Sequence, residues 1–502
     1  MAAETRFLDF IWQSRSNRVY LLAASSLSIM LFFIFKLLYP YPNMVMDSYV
    51  YIRPLAEGLR VNSFPMGYTW FLGLFSWFSR STMLLVWVQY LLLEASCLLF
   101  FFTLLYFFQP GKKIRLLMFI FLFANPLFLY CSNFIMSDPL FTTLSILWIT
   151  QLIWLMGRPQ PYMILLHALL LLMVFTVRYT ALYYPLVASF GLLLSRLKLW
   201  QKIAAIGLQF LLIGGFILYT MQEMKALTGI RQFSPFGGWR MANNALYMYG
   251  HIYMNKKDTV PPKFAGLDQM VKGYFNAVRR VDDLSDPQSG GAFYGAEYES
   301  PLQRYFYRQY GPDTIFLNLR TYGDVAPLYS AYGSYLVRKY PVDYLRWFLW
   351  PSSIRYAVSP TEIFSTLTPF FLRDDYLGKE ARQWFGLKTL MVSPAYINLR
   401  TSILSPYPII LGLIHLAFLF GLVGFTVFGG FKKLDRINSS IVIVVAGFWV
   451  CDLFFKITAG AVVLRHQLFL MILEYAFALL FIGYIYHQDG ARPYYFGPRV
   501  LK

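Results

Sequence analysis

Charge is scarce in this chain. Asp, Glu, Lys and Arg make up 14% of the 502 residues, against 58% hydrophobic residues; soluble domains carry about 25% charge. That shortage excludes a soluble enzyme of this length and makes the chain a polytopic membrane protein. Cysteine is also short. The three cysteines, Cys97, Cys131 and Cys451, all lie in apolar segments, so there is no disulfide framework and no metal-type spacing. No small-residue cleavage site follows the first apolar run, only Tyr39-Pro40-Tyr41-Pro42, so that run reads as an anchor and not a signal peptide. Repeats and low-complexity tracts are absent. Gly237-Gly238 lacks the spacing of a phosphate loop and reads as a turn before a helix. Acidic residues are outnumbered, giving a net charge of +19. Nucleic acid is rejected as the partner, because many of the Lys and Arg residues fall in short loops beside apolar segments, where they set topology. Others are placed to attract anionic lipid or a lipid phosphate.

What is present in abundance is apolar length. Each span needs about 20 apolar residues, fewer where helices are short or buried, and about ten candidates occur: residues 19–39, 83–108, 115–133, 139–156, 162–177, 180–195, 203–222, 406–430, 438–457 and 466–486. Residues 64–78 are apolar but too short to cross and read as an interfacial or re-entrant piece. With the N-terminus cytoplasmic, the later cytoplasmic loops hold Lys112, Lys113 and Arg115, then Arg158, then Arg196, Lys198 and Lys202, then Lys432, Lys433 and Arg436. The tail holds Arg492, Arg499 and Lys502. Every short cytoplasmic loop is then basic, as the positive-inside rule requires. The expected organisation is an N-terminal transmembrane core (1–222) with a functional first outer loop (40–82), an extracytoplasmic insert (223–405), and C-terminal spans with a cytoplasmic tail (406–502). Within the insert, helices are expected near 239–254, 301–310, 324–339 and 341–350, with loops at Pro261-Pro262 and Gly290-Gly291. Val342 to Trp350 is aromatic enough to lie in the membrane interface.

On that topology several polar groups converge on one face. Asp47 follows the first span, in Asn43-Met44-Val45-Met46-Asp47-Ser48-Tyr49-Val50-Tyr51. A carboxylate there reads either as a reactive acid or as a cap on the amide of Val50. Ile52, Leu55 and Leu59 share one face of the short helix that follows, which reads as lying on the membrane surface. Asp138 lies in Met136-Ser137-Asp138-Pro139, a sequence suited to a helix start with Asp at the cap. Arg178, in Val177-Arg178-Tyr179-Thr180, and Arg465 with His466 complete the set. Both arginines also fit a plain snorkelling role at helix ends. Two carboxylates and two guanidiniums suit a reaction between a lipid phosphate and a polar acceptor. A carboxylate takes the proton of an attacking hydroxyl, and guanidinium stabilises charge growing on departing phosphate. Tyr49 and Tyr51 are expected to shape a partly dry pocket beside Asp47, with an arginine close by to keep the acid ionised. A divalent metal held by Asp47, Asp138 and His251 is an alternative; no cofactor is required.

Taken together, these positions resemble the GT-C superfamily of membrane glycosyltransferases, on the branch that includes protein O-mannosyltransferases and the lipid A aminoarabinose transferase. The resemblance rests on Asp47 in the first outer loop, Pro-Met-Gly-Tyr at 65–68, Asp138-Pro139, Val-Arg-Tyr-Thr at 177–180 and Arg465-His466. It spans roughly residues 1–222 and 406–490. In the insert, Trp239-Arg240-Met241-Ala242-Asn243-Asn244-Ala245 is the most family-like stretch. The resemblance implies an all-α GT-C-like bundle and a donor sugar on a polyprenyl phosphate, bound from the outer leaflet. It implies Asp47 as catalytic base and Asp138 as a second acidic contact. Donor-phosphate contacts then fall to Arg178, Arg465 and His466. Substrate contacts fall to Tyr49, Tyr51, Tyr68, Trp239, Arg240, Asn243 and Asn244. Ser48 stands where the paired form of the motif has Glu, which points away from the protein O-mannosyltransferases themselves. No Trp-Trp-Asp segment of the oligosaccharyltransferase kind is present, so transfer of one sugar is expected over transfer of a preassembled oligosaccharide.

Two other classes compete. A lipid-linked-sugar transporter or flippase needs polar residues at mid-bilayer and often paired repeats; Asp452, Lys456 and Glu474 are the groups that fit it. A non-catalytic assembly subunit is the third. The acceptor is a lipid, a glycan or a protein, and the setting expected is a bacterial inner membrane with the site facing outward.

Overall fold

A run of about 20 apolar residues crosses hydrocarbon as a helix because only a helix or closed barrel satisfies every backbone N–H and C=O there. The computed structural model describes residues 6–253, 260–279, 293–311, 318–361, 370–371, 376–386, 391–392, 403–460 and 462–486. Eight of its helices are long and apolar enough to cross a membrane: Arg15–Leu38, Thr82–Phe108, Lys112–Ser132, Ser137–Gly157, Leu199–Thr228, Tyr407–Val427, Arg436–Ala459 and Leu464–Tyr486. Pro161–Val177 and Tyr179–Leu194 are apolar but shorter, as the sequence leads one to expect of the fifth and sixth candidates. The chain is an all-α polytopic membrane protein. Among the described residues the only sheet is a two-residue pairing, Phe370–Phe371 with Met391–Val392.

The elements depart from the simple hydropathy pattern where local chemistry intervenes. The third candidate is broken into Lys112–Phe123 and Pro126–Ser132. Pro126 has no N–H to continue the ladder. Asn125 caps the second piece, accepting from the Leu127 amide at 3.1 Å and from the Tyr407 hydroxyl at 2.6 Å. The helix Leu199–Thr228 has 30 residues, about 45 Å at 1.5 Å per residue. It therefore outruns the hydrocarbon, and the expected boundary at residue 222 falls inside a helix. Residues 64–78 contribute the helix Gly67–Ser76, whose 10 residues reach only about 15 Å.

The insert builds a core of its own. Pro235–Ile252 crosses Leu319–Lys339 closely because two contact positions are glycine. A Cβ on Gly238 would lie 2.1 Å from the Ala326 carbonyl oxygen, and one on Gly333 2.6 Å from the Met241 backbone. Ala265–Arg279 and Pro301–Tyr310 pack around this pair. The first of these is a helix that the sequence reading missed. Tyrosine fills this core: Tyr249 and Tyr332 both donate to Asp268, at 2.9 and 2.8 Å, and Tyr329 donates to the Leu302 carbonyl at 2.6 Å. The segment expected to stop near Trp350 instead continues to Ala357. A π turn over Leu345–Leu349 absorbs the N–H missing at Pro351. Val342, Leu345, Trp350 and Ile354 stay exposed, while Tyr356 reaches Asp452 in the ninth candidate span at 3.0 Å. The Gly290-Gly291 loop and the basic tail residues Arg492, Arg499 and Lys502 lie outside the described residues.

Candidate functional site

Two loops are zipped together before either acid appears. The Asn43 amide donates to the Asn133 carbonyl at 2.8 Å, and the Ile135 amide donates to the Asn43 carbonyl at 3.0 Å. The Asn133 side chain donates to the Tyr41 carbonyl at 3.0 Å and accepts from Lys36. Each loop then turns directly into a helix, Met46–Glu57 and Ser137–Gly157, with its acid in the first turn. Neither acid serves as the cap expected of it. Val45 and Met136 occupy the cap positions without a side-chain bond, and the Val45 amide is met by Ser48 Oγ at 3.0 Å. The carboxylates are left for longer-range partners, though both still sit favourably at positive helix ends.

Those partners are the two arginines. Arg465 Nη1 lies 3.0 Å from Asp47 Oδ2 and 3.5 Å from Asp138 Oδ2. Arg178 Nη2 lies 2.8 Å from Asp138 Oδ1, and its Nε donates to Ser137 Oγ at 3.0 Å. Arg178 stands at the end of Pro161–Val177, and Gly67 lets the helix Gly67–Ser76 abut that end. A Cβ there would lie 2.6 Å from the Thr176–Val177 peptide. Arg465 lies in a 3₁₀ turn, Leu464–Gln467, at the start of the last span. The four groups expected to converge are thus brought together, from four separate elements. The two acids differ in access: the Asp138 side chain is 2% exposed and that of Asp47 is 29% exposed. Neither Asp138 oxygen makes a well-directed hydrogen bond among the described residues, so its contacts with the arginines are charge contacts. His466, half-buried, follows Arg465 in the same turn.

The aromatic and amide residues assigned to substrate sit further back. Tyr49, Tyr51 and Tyr68 are buried. Tyr51 Oη lies 2.8 Å from Ser137 Oγ, and its ring meets Tyr68 edge-on at 5.0 Å. Tyr68 in turn donates to Gln89 at 2.5 Å. Burial pushes both hydroxyls well above the usual tyrosine range, so they stay protonated and act as hydrogen-bonding supports for Ser137 and Gln89. Trp239 is a core residue of the insert: its ring stacks on Tyr322 at 4.5 Å and its N–H donates to the Tyr322 carbonyl at 3.1 Å. The indole is 2% exposed and packs within the insert. Asn243 is buried and accepts from the Gly295 amide at 3.2 Å. Asn244 and Arg240 instead dock the insert on the end of the ninth candidate span. Asn244 Nδ2 donates to the Ala459 carbonyl at 3.2 Å, and the Arg240 guanidinium lies against Gly460, 2.8 Å from where a Cβ would be. His251 stacks on Trp347 at 4.1 Å. Among the described residues, no three of His, Cys, Asp or Glu are grouped so as to hold a metal ion.

Several further polar residues, not singled out by any motif, build the surroundings of the site. Ser137 and Gln89 organise the site, and Lys36 and Glu94 are buried inside spans; Glu94 accepts from Ser28 at 2.9 Å. The available signal was an ionisable or amide side chain inside an otherwise apolar run. Comparison with known protein families, curated proteins and solved structures finds no match to this chain.

Proposed function

We propose that this protein is an integral-membrane glycosyltransferase that moves one sugar from a polyprenyl-phosphate donor to an acceptor on the extracytoplasmic face. One observation supports this most: Arg465 bridges two carboxylates of unequal access while Arg178 holds the far side of the buried one. In this reading Asp47 is the accessible base. It takes the proton from the acceptor hydroxyl as that oxygen bonds to the anomeric carbon from the face opposite the phosphate. The anomeric carbon–oxygen bond breaks, its electron pair leaves with the polyprenyl phosphate, and the anomeric configuration inverts. Phosphate is a good leaving group, so no general acid is needed. Arg178 and Arg465 present further N–H donors to the phosphate oxygens, with His466 beside them. Asp138, enclosed by the two guanidiniums, orients them and does not touch the sugar. No cofactor enters this scheme. The acceptor class, lipid, glycan or protein, is left to experiment, and the membrane proposed is a bacterial inner membrane.

The test is an assay of purified protein with a polyprenyl-phosphate sugar, scoring released polyprenyl phosphate and glycosylated acceptor. A second reading, a transporter of lipid-linked sugars, is favoured by the ionisable groups buried within spans, Lys36, Glu94, Asp452 and Glu474. Movement of labelled donor across proteoliposomes without transfer would support it, and inertness in both assays would support an assembly subunit. Sidedness is tested separately by cysteine labelling. Position 263 should label from outside and position 433 should not; the reverse would overturn the orientation.

A further inference from the structure

We propose that Gln467, with Lys456, Asp452 and Tyr356, is a positioning network that sets Arg465, and that it ties the Arg465 turn to the aromatic helix at the end of the insert. The inference rests on the functional reading above and adds residues to it. The Leu464–Gln467 turn is gripped on two sides. Its Leu464 amide donates to the Pro360 carbonyl at 2.9 Å, just past the helix Trp350–Ala357. Gln467, fully buried, donates to the Tyr356 carbonyl at 3.3 Å and accepts from Lys456 Nζ at 2.8 Å. Lys456 lies 3.0 Å from Asp452, which also accepts from Tyr183 at 2.5 Å and from Tyr356 at 3.0 Å. His415 Nε2 lies 3.1 Å from the same Tyr356 carbonyl, and its Nδ1 lies 2.9 Å from Glu474 Oε1. Every one of these contacts is buried or nearly so, and none involves Asp47, Asp138 or Arg178. The network reaches the site most directly through Arg465, two residues before Gln467, and through Tyr183 it also borders the turn that follows Arg178. Because Val342, Leu345, Trp350 and Ile354 are exposed along the same helical segment, an exposed apolar helix is tied through this network to the residue that bridges both acids. Small displacements of a catalytic geometry are costly, with about 1 Å worth as much as roughly 100-fold.

The test replaces Gln467 with methionine, which keeps the length and removes both hydrogen bonds. Two quantities are read in the intact, detergent-purified protein: hydrogen exchange at the Leu464 and His466 amides, and steady-state transfer. Gln467→Met should speed exchange in the turn and lower kcat roughly 10- to 100-fold while leaving donor KM within a few-fold, since the guanidinium keeps both its charge and its planar fork. Tyr356→Phe, which removes only the hydroxyl bond to Asp452, should give the same pattern more weakly and serves if Gln467→Met does not accumulate. Unchanged exchange in the variant that is obtained, or a KM effect without a kcat effect, overturns the proposal. If exchange rises as expected but the parental protein transfers no sugar, the network stands as a clamp on the turn and the glycosyltransferase reading is what fails.

Discussion

Two ionic clusters lie close together in this protein, and they are built to opposite specifications. Around Asp452 the carboxylate is met by Tyr183, Tyr356 and Lys456. Around Asp47 and Asp138 the arginines supply charge, yet Asp138 makes no well-directed hydrogen bond among the described residues and Asp47 is partly open. A buried ion cluster whose atoms are all answered has no donor or acceptor left for a ligand. One with charge in excess of directed bonds is organised around something still to come. The first kind is suited to holding structure and the second to receiving a ligand.

That contrast can be broken experimentally. The largest effect is expected at Asp47. Asp47→Asn keeps the size of the side chain but cannot take the proton, so turnover should fall by about 10²–10⁴-fold with thermal stability and donor binding unchanged. Parental turnover in this variant would leave Asp47 as a helix-terminal charge only. The closed cluster should respond chiefly in stability when its central charge is removed. Asp452→Ala strands Lys456 and two tyrosine hydroxyls in the bundle and should cost about 3–5 kcal/mol, with the Asp452→Leu/Lys456→Met pair recovering most of it. Equal stability of the single and double variants in a detergent unfolding series would show that the pair is not acting as a unit.

Arg178→Lys and Arg465→Lys keep the charge but lose the planar fork. Losing one charge-assisted hydrogen bond is worth about 1.5–3 kcal/mol, so donor affinity should drop by about 10- to 100-fold. Normal binding and turnover in both variants would reduce the arginines to snorkelling anchors. The smallest effect is expected at Gly67, where an added methyl meets the Thr176–Val177 backbone. Gly67→Ala should cost about 1–3 kcal/mol by overpacking and shift Arg178 enough to weaken donor binding. A variant with parental melting and binding would show that the helix can move aside without disturbing Arg178.

Much of this was readable from residue order. Spans are legible because hydrocarbon demands length and apolarity together, and Asp47, Asp138, Arg178 and Arg465 stand out because charge at a span end needs a reason. Roles within the site were less legible. Tyr49, Tyr51, Tyr68 and Trp239 have the composition of a sugar-binding pocket, but aromatic side chains fill cores as readily as they line clefts. Only packing shows that these four point inward. The amphipathic helix Ala265–Arg279, the break at Asn125-Pro126 and the continuation through Pro351 were likewise settled by neighbours rather than propensity.

The amino-acid order by itself determined the all-helical membrane class and the candidate charges at the span ends, because both follow from transfer free energies that act residue by residue. Tertiary structure alone decided that Asn43 pairs with Asn133, that Arg465 bridges two acids 91 residues apart in the chain, and that one acid is sealed while the other is open. Those outcomes depend on which distant backbones approach closely enough to share hydrogen bonds. No local pattern of hydropathy or charge encodes that approach.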